Sequence, residues 1–237
     1  MAGSLYILLS INHPSTMMTK DQLIQTLVRG KYLRTPLIIE AFKQVDRRDF
    51  VLLEYEKEAY ENHPLPIGFG QTISQPLTVA FMLELLEPRP GEKILEVGAG
   101  SGWQTALLAY CISKNSASSK PRGKLFAIER IPELKEMAEE NISKYNFIKK
   151  GIINVILGDG SKGHPAGAPY DKIITAAAAE RVMVAWKEQL CVGGRIVAPI
   201  GNSIEVHDKI SSTDYNVQEY RGFSFVPLIS SEEGGGG

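Results

Sequence analysis

Three glycines at alternate positions, Gly98, Gly100 and Gly102, follow a short apolar run and constrain the fold of this chain more than any other feature. The run, 94–97, has the length and composition of a buried strand, and residues 103–112 have the pattern of a helix. Glycine allows positive φ and close approach of a ligand to the main chain. The start of a helix offers free N–H groups and the positive end of a dipole. The segment therefore predicts a strand, a tight turn and a helix, with a ligand site at the turn.

The spacing of these glycines indicates the kind of ligand. A dinucleotide fingerprint has the pattern GxGxxG, whereas here the third glycine comes one residue early. Glu96 lies two residues before the first glycine, where a carboxylate would repel a pyrophosphate and suit a cation. These features favour S-adenosylmethionine, which carries a sulfonium and an ammonium and has no phosphate. A glycine-rich turn without a ligand is the alternative, because the motif alone is only moderately specific.

Two more acids are predicted at the ends of the next strands. The apolar run 125–128 ends in Glu129, whose carboxylate would accept both ribose hydroxyls. The run 152–157 leads into Asp159, which would accept the adenine amino group, and into Gly160. Each acid alone could be a solvated helix start or a turn residue. Ligands in open α/β sheets bind outside the carboxyl ends of the strands, so three strand-end acids in succession favour one cofactor site.

Composition limits the partners of the chain. A length of 237 residues fits one α/β domain, and the net charge of −1 gives no electrostatic footprint for nucleic acid. Cys111 and Cys191 lie far apart in apolar contexts, so we expect free thiols and a cytoplasmic location. The histidines show no metal-ligand spacing, and no apolar run approaches the ~20 residues that span a membrane. We therefore expect a monomer that binds no metal, nucleic acid or membrane.

The segment 59–76 stands apart because it is long and shows no periodicity. Helices are predicted before it, one capped by Thr19 and one beginning at Pro36, and after it at Pro76. Aperiodic stretches of this length inside a compact domain are usually functional. Thr72 and Ser74 lie just before a helix start, where hydroxyl and N–H groups can hold an anion. On spacing alone, Ser74 could equally be a helix cap.

At these residues the chain resembles the protein-L-isoaspartate (D-aspartate) O-methyltransferase family, over about Thr19 to Ile229. The most specific match is Pro64-Leu-Pro-Ile-Gly-Phe-Gly-Gln-Thr-Ile-Ser-Gln-Pro76. Supporting matches are Val45-Asp-Arg-Arg-Asp-Phe-Val51, Leu95-Glu-Val-Gly-Ala-Gly-Ser-Gly-Trp-Gln-Thr105, Ile128-Glu-Arg130, Gly158-Asp-Gly160, Tyr170-Asp-Lys-Ile-Ile-Thr-Ala-Ala177, Gly193-Gly-Arg-Ile-Val-Ala-Pro199 and Phe225-Val-Pro-Leu228. A generic methyltransferase would share the glycine loop but not the 64–76 segment.

The resemblance implies an enzyme that moves a methyl group from S-adenosylmethionine to the free α-carboxylate of L-isoaspartyl residues in damaged proteins and peptides. S-adenosylhomocysteine would be the product, and D-aspartyl residues are a further candidate substrate. Ser74 would be the active-site hydroxyl. The expected cofactor-binding residues are Thr72, Ile73, Ser74, Glu96, Gly98, Gly100, Gly102, Glu129, Asp159 and Gly160, and the expected substrate-binding residues are Ile67, Gly68, Thr72, Ser74 and Val226.

The predicted fold is a doubly wound α/β domain with a mostly parallel seven-stranded sheet and an N-terminal helical extension, as in class I S-adenosylmethionine-dependent methyltransferases, which are Rossmann-like. Residues 19–230 would form this domain: a helical lead-in and substrate loop (19–90), a cofactor-binding core (91–200) and C-terminal strands (201–230). A helix is expected over 181–190, and an antiparallel edge over 204–210 and 218–229. Residues 1–18 and 231–237 would be flexible.

Three alternatives to this function stay open. The first is a class I methyltransferase acting on RNA or on a small molecule, which the neutral charge and the 72–74 segment disfavour. The second is a nicotinamide-dependent oxidoreductase, which would be expected to carry GxGxxG. The third is a module that binds S-adenosylmethionine without catalysis.

Overall fold

A computed structural model describes residues 17–114 and 123–229. The predicted tail (231–237), most of the predicted extension (1–18) and residues 115–122 lie outside the described residues. Met18, at the end of the predicted extension, packs against the core.

Helices α1 (Lys20–Arg29) and α2 (Pro36–Gln44) form the lead-in, and each begins where the sequence predicts. Thr19 and Gln22 form a capping box, in which each backbone N–H donates to the other side chain (2.8 and 3.3 Å). Pro36 begins α2, where its missing N–H costs nothing.

The helices of the described residues are α1 (Lys20–Arg29), α2 (Pro36–Gln44), α3 (Pro76–Leu86), α4 (Trp103–Ser113), α5 (Pro132–Ser143) and α6 (Val184–Gln189). None of them is long and apolar enough to cross a membrane.

The strands of the described residues form a short hairpin and one seven-stranded sheet. The strands are β1 (Leu65–Gly68), β2 (Gln71–Ile73), β3 (Lys93–Val97), β4 (Lys124–Glu129), β5 (Ile153–Leu157), β6 (Tyr170–Thr175), β7 (Leu190–Ile200), β8 (Ser203–Lys209) and β9 (Tyr215–Arg221). The hairpin pairs β1 with β2, and the sheet has the order β5-β4-β3-β6-β7-β8-β9. Neighbours from β5 to β7 are parallel, while β8 and β9 are antiparallel additions at one edge.

The sheet is covered on both faces, which confirms the predicted doubly wound architecture. Successive residues of a strand point to opposite faces, and Ile94 and Leu95 of β3 belong to different apolar clusters. The larger cluster packs the sheet against α1 to α5, and the smaller one packs it against Trp186 of α6. The strand order reverses between β3 and β6, which is where open α/β sheets bind ligands.

Three local expectations need correction. The 59–76 segment is not wholly irregular, because it contains the β1–β2 hairpin, whose tip residues Gly68, Phe69 and Gly70 all have positive φ. The predicted second edge strand ends at Arg221, and the following residues turn back toward the end of β6, where Ala178 bridges to Pro227. The helix predicted over 181–190 spans only Val184–Gln189.

Candidate active site

A cavity of about 370 Å³ lies at the carboxyl edge of the sheet, beside the reversal of strand order. Its wall joins the glycine loop after β3, the ends of β4, β5 and β6, the 64–78 segment and the returning segment 224–229. Eight residues proposed from the sequence share this wall, although they come from segments far apart in the chain. They are Ile67, Thr72, Ser74, Gly98, Gly100, Glu129, Gly160 and Val226.

The glycine loop contributes bare backbone to the cavity. Gly98 and Gly100 line it with φ of 87° and 56°, conformations that other residues adopt only at a cost. Gly102 has a different role, because it begins α4 at φ 91° and faces α5. A Cβ there would lie 3.0 Å from the Ile142 side chain and 3.2 Å from the Ala138 carbonyl oxygen. Gly102 therefore serves the packing of α4 on α5, outside the cavity wall.

Glu129 is fixed by the backbone around it. Its Oε2 accepts a hydrogen bond from the N–H of Gly100 (2.9 Å), and its Oε1 accepts from the N–H groups of Arg130 (2.8 Å) and Ile131 (3.0 Å). The side chain is 7% exposed and lines the cavity. A carboxylate has about four lone-pair sites, so part of its accepting capacity remains for a ligand. Glu129 thus ties the glycine loop to β4 and presents a preoriented acceptor.

Asp159 and Gly160 follow β5, and the second of the two reaches the cavity. Asp159 caps a short 3₁₀ turn, accepting from the N–H (2.9 Å) and hydroxyl (2.6 Å) of Ser161. Gly160 packs against the end of β3, where a Cβ would lie 2.3 Å from Val97 Cγ1. The buried indole of Trp186 donates to the Gly160 carbonyl (2.8 Å). The turn is thus held against the end of β3 and by Trp186 of α6.

Glu96 does not line the cavity, in contrast to the role that we inferred from the sequence. Its side chain is fully buried below the glycine loop, and its Oε1 accepts from Gln104 Nε2 (3.0 Å). Burial raises the pKa of this carboxyl to about 8, because the charged form is desolvated. At neutral pH the group is therefore mainly protonated, so it offers little charge to a cation.

The 64–78 segment supplies neutral polar groups. Thr72, Ser74 and Thr78 line the cavity around the start of α3, whereas Ile73 is buried in the core and Gly68 lies exposed at the hairpin tip. Of the described residues that line the cavity, only Glu129 and Arg130 carry a formal charge. The wall near Ser74 is accordingly suited to hydrogen bonding with an anion rather than to ion pairing.

Two side chains hold the start of α3 in place. Asn62 Oδ1 accepts from the Leu77 N–H (2.9 Å), satisfying one of the free donors of the first turn. Gln75 Nε2 donates to the Asn62 carbonyl (2.8 Å). Ser74 itself makes no capping bond to α3, whose N-cap residue is Gln75. The alternative that Ser74 is only a helix cap therefore loses its support.

Several residues of the cavity wall were missed from the sequence. The rule that ligands bind at strand ends would have indicated Ala176 and Ala177, which follow β6. Ile131 and Leu134 belong to the start of α5 directly after Glu129, and their apolar character carried no separate signal. Gln71, Gln75, Thr78 and most of the returning segment 224–229 reach the wall through tertiary contacts.

Comparisons with known proteins agree with this architecture. The family model described as protein-L-isoaspartate(D-aspartate) O-methyltransferase matches residues 18–233. A protein-L-isoaspartate O-methyltransferase of Aeropyrum pernix is 46% identical over 212 residues, which cover 88% of this chain and 78% of that protein. One from Methanopyrus kandleri is 40% identical, covering 90% of this chain and 92% of that protein.

A solved structure shares the fold over nearly the whole domain. It is a Plasmodium falciparum protein described as a protein-L-isoaspartate O-methyltransferase in complex with S-adenosyl-L-homocysteine, with a TM-score of 0.79 at 20% identity. The match covers 90% of this chain and 99% of that one. With a family model that spans the domain and relatives at 40% and 46% identity, the chain belongs to the protein-L-isoaspartate (D-aspartate) O-methyltransferase family.

Proposed function

We propose that this cavity holds S-adenosylmethionine beside the α-carboxylate of an L-isoaspartyl residue, and that the chain catalyses methyl transfer between them. The observation that carries the proposal is that one cavity joins the glycine loop and Glu129 to the Thr72–Ser74 segment. The first group suits a nucleoside, and the second suits an anion.

The residues present fit the cofactor. Gly98 and Gly100 expose backbone where a side chain would narrow the cavity, and Glu129 keeps accepting capacity for hydroxyl groups such as those of ribose. Ile131 and Leu134 provide an apolar surface beside Glu129, suited to a purine. When bound, S-adenosylmethionine supplies a methyl group on a positively charged sulfur.

The substrate needs no base from the protein. An isoaspartyl residue has a free α-carboxylate because the chain runs through its side-chain carboxyl, and such a group has a pKa of about 3.3–3.7 in model compounds. It is already an anion at neutral pH. A strongly ion-paired carboxylate would be a weaker nucleophile, so the neutral wall near Ser74 suits the reaction.

The main contribution of the protein is alignment. We propose that the Ser74 hydroxyl donates a hydrogen bond to the carboxylate, with Thr72 beside it and Ile67 below. Val226 lines the cavity and would contact the peptide. Its carbonyl accepts from the Ala178 N–H (2.8 Å), which fixes the returning segment. Well-oriented reactants can supply about 7–11 kcal/mol of a barrier.

The product accounts for repair. The neighbouring backbone nitrogen attacks the carbonyl carbon of the methyl ester; the C–N bond that forms closes a succinimide ring, and the methoxy group leaves with the amide proton as methanol. Hydrolysis of that ring returns part of the material as normal aspartyl peptide. D-aspartyl residues are a second candidate substrate, which we propose on the family description alone.

A radiolabelled methyl-transfer assay tests the proposal. Two peptides of one sequence, with isoaspartate or aspartate at a single position, are incubated with the protein and labelled S-adenosylmethionine. We expect base-labile label in the isoaspartyl peptide and background label in its partner. Equal labelling, or label only in added RNA or small molecules, would contradict the substrate assignment. Cofactor binding without labelling of any peptide would instead favour a binding module.

We further propose that the protein acts as a cytoplasmic monomer. Both cysteines are unpaired, Cys111 in the core and Cys191 partly exposed, as is usual in a reducing compartment. Light scattering after size-exclusion chromatography measures the mass, and a value of twice the chain mass would contradict the monomer.

A further inference from the structure

We propose that Arg47 is a positioning residue of the active site. Its buried guanidinium hydrogen-bonds to the backbone at both ends of the β1–β2 hairpin and so sets the position of Ser74. The inference rests on the proposed function, because it concerns the residue that would orient the substrate carboxylate. It comes from a charged motif, 45–51, that sequence patterning alone would assign to a solvated helix end.

The guanidinium contacts four backbone carbonyls. Its Nη1 donates to Ala59 (2.8 Å) and Glu61 (3.3 Å), and its Nη2 donates to His63 (3.0 Å) and Ser74 (3.1 Å). Three of these acceptors precede the hairpin and one follows it. A planar guanidinium with several N–H donors can bond to both ends of the hairpin at once. A lysine ammonium cannot make these bonds with the same geometry.

Arg47 is an unusual buried cation. It is 2% exposed, its partners are neutral carbonyls, and it forms no ion pair with an acidic side chain of the described residues. Its Cζ lies 5.3 Å from the ring centroid of Trp103, the first residue of α4. Burial lowers the pKa of Arg47 to about 9. A buried charge without a carboxylate partner opposes folding, so this arrangement is not explained by stability alone.

The turn that carries Arg47 is itself anchored. Tyr60 Oη donates to Asp46 Oδ1 (2.8 Å), and the Asp46 N–H donates to Tyr145 Oη (2.8 Å). Phe50 stacks on Tyr145, with 5.7 Å between ring centroids. The backbone of the Arg47 turn is thus fixed to the end of α5, and the Arg47 guanidinium is fixed to the segment 59–74.

The contact at Ser74 has a direct consequence for the cavity. Because a trans peptide unit is planar, the Ser74 carbonyl that faces Arg47 turns the N–H of Gln75 in the opposite direction. Ser74 and Gln75 both line the cavity. Arg47 therefore orients the peptide unit that lies at the start of α3, next to the hydroxyl of Ser74.

The test compares Arg47→Lys and Arg47→Met with Arg48→Met, a matched change at an exposed neighbour in the same turn. Four quantities are measured: thermal stability, S-adenosylmethionine affinity by calorimetry, kcat and KM for the isoaspartyl peptide, and amide hydrogen exchange. For Arg47→Lys we expect kcat to fall roughly 10- to 100-fold, because misplacement by about 1 Å has such an effect. Cofactor affinity should stay within about twofold, and Arg48→Met should retain its kcat.

Hydrogen exchange separates positioning from general destabilisation. We expect amides of 59–75 to exchange faster in Arg47→Lys while those of β3 to β5 keep their protection. Unchanged kcat per folded molecule, or equal loss of protection across the sheet, would overturn the proposal. If Arg47→Met fails to fold, Arg47→Lys decides the matter. If the wild-type protein methylates no isoaspartyl peptide, the proposed function fails, and the exchange comparison still tests whether Arg47 holds the segment.

Discussion

The two sides of the cavity are positioned by different means. On the cofactor side, the functional groups follow β3, β4 and β5, and their positions are consequences of the parallel sheet. On the substrate side, Thr72 and Ser74 lie on a segment with one short hairpin, held by side chains that bond to its backbone. Arg47 and Asn62 provide most of these bonds.

This difference predicts which property a substitution on each side should change. A strand end is supported by many cooperative backbone bonds, so a change there should alter cofactor affinity while the sheet persists. The substrate segment depends on a few side chains, so a change there should alter turnover while cofactor binding persists. Glu129→Ala and Ser74→Ala test this separation directly, and Gly160→Ala and Glu96→Gln test what supports the cofactor side. The four are ordered from the largest expected effect to the smallest.

Glu129→Ala should have the largest effect. It removes acceptors for the cofactor and also the bonds that hold Gly100, Arg130 and Ile131. Hydrogen bonds to charged groups contribute about 1.5–3 kcal/mol each, so we expect S-adenosylmethionine affinity to fall about 100-fold. Calorimetry measures this, with Glu133→Ala, an exposed acid in the first turn of α5, as the matched control. Unchanged affinity in Glu129→Ala would remove the ribose assignment.

Ser74→Ala tests the substrate side. We expect transfer to slow by roughly 10- to 100-fold, equivalent to about 1.4–2.7 kcal/mol, because a donor to the carboxylate is lost. Cofactor affinity should not change. Steady-state kinetics with the isoaspartyl peptide measure the first quantity and calorimetry the second. Turnover equal to that of the wild type would exclude Ser74 from the mechanism, and a parallel fall in cofactor affinity would break the separation between the two sides.

Gly160→Ala examines the close packing behind the cofactor side. The added Cβ would lie 2.3 Å from Val97 Cγ1, a stiff side chain at the end of β3, so the turn must move. We expect a loss of about 2 kcal/mol in the free energy of unfolding, measured with denaturant. Gly158→Ala is the control, because its Cβ would lie 3.8 Å from the Ile128 side chain. Equal stability of the two variants would show that the turn tolerates movement.

The sequence predicted the two sides to different extents. Apolar runs located β3, β4 and β5, because those residues pack against the core in a regular pattern. Thr19, Pro36 and Pro76 located the starts of α1, α2 and α3. The strand-end rule then brought Glu129 and Gly160 to the same edge. No such pattern marks the β1–β2 hairpin. Residues 224–229, predicted as part of an edge strand, instead return toward the end of β6. Both segments are positioned by residues distant in sequence. The contacts of Arg47 with Ser74 and of Ala178 with Val226 illustrate this dependence.

The sequence pattern did not predict that the Glu96 side chain is buried. The strand-end rule takes an acid near the glycine loop as available to a ligand. The alternation of strand residues instead turns Glu96 away from the cavity, into the space shared with Gln104. A carboxyl in that environment has a raised pKa, and its chemical role changes from ligand binding to packing.

Glu96→Gln should therefore have the smallest effect on binding, with cofactor affinity within about twofold of the wild type at neutral pH. Its consequence should appear in stability. The folded-state pKa of about 8 exceeds the ordinary value of 4.5, so between these values the folded state binds more protons than the unfolded state. Wild-type stability should then fall as pH rises from about 5 to about 8, and Gln, which does not titrate, should remove this part of the dependence. Denaturant unfolding at several pH values measures both proteins. Parallel curves would mean that Glu96 is ionised in the folded protein, and its assignment to a cationic ligand would regain support.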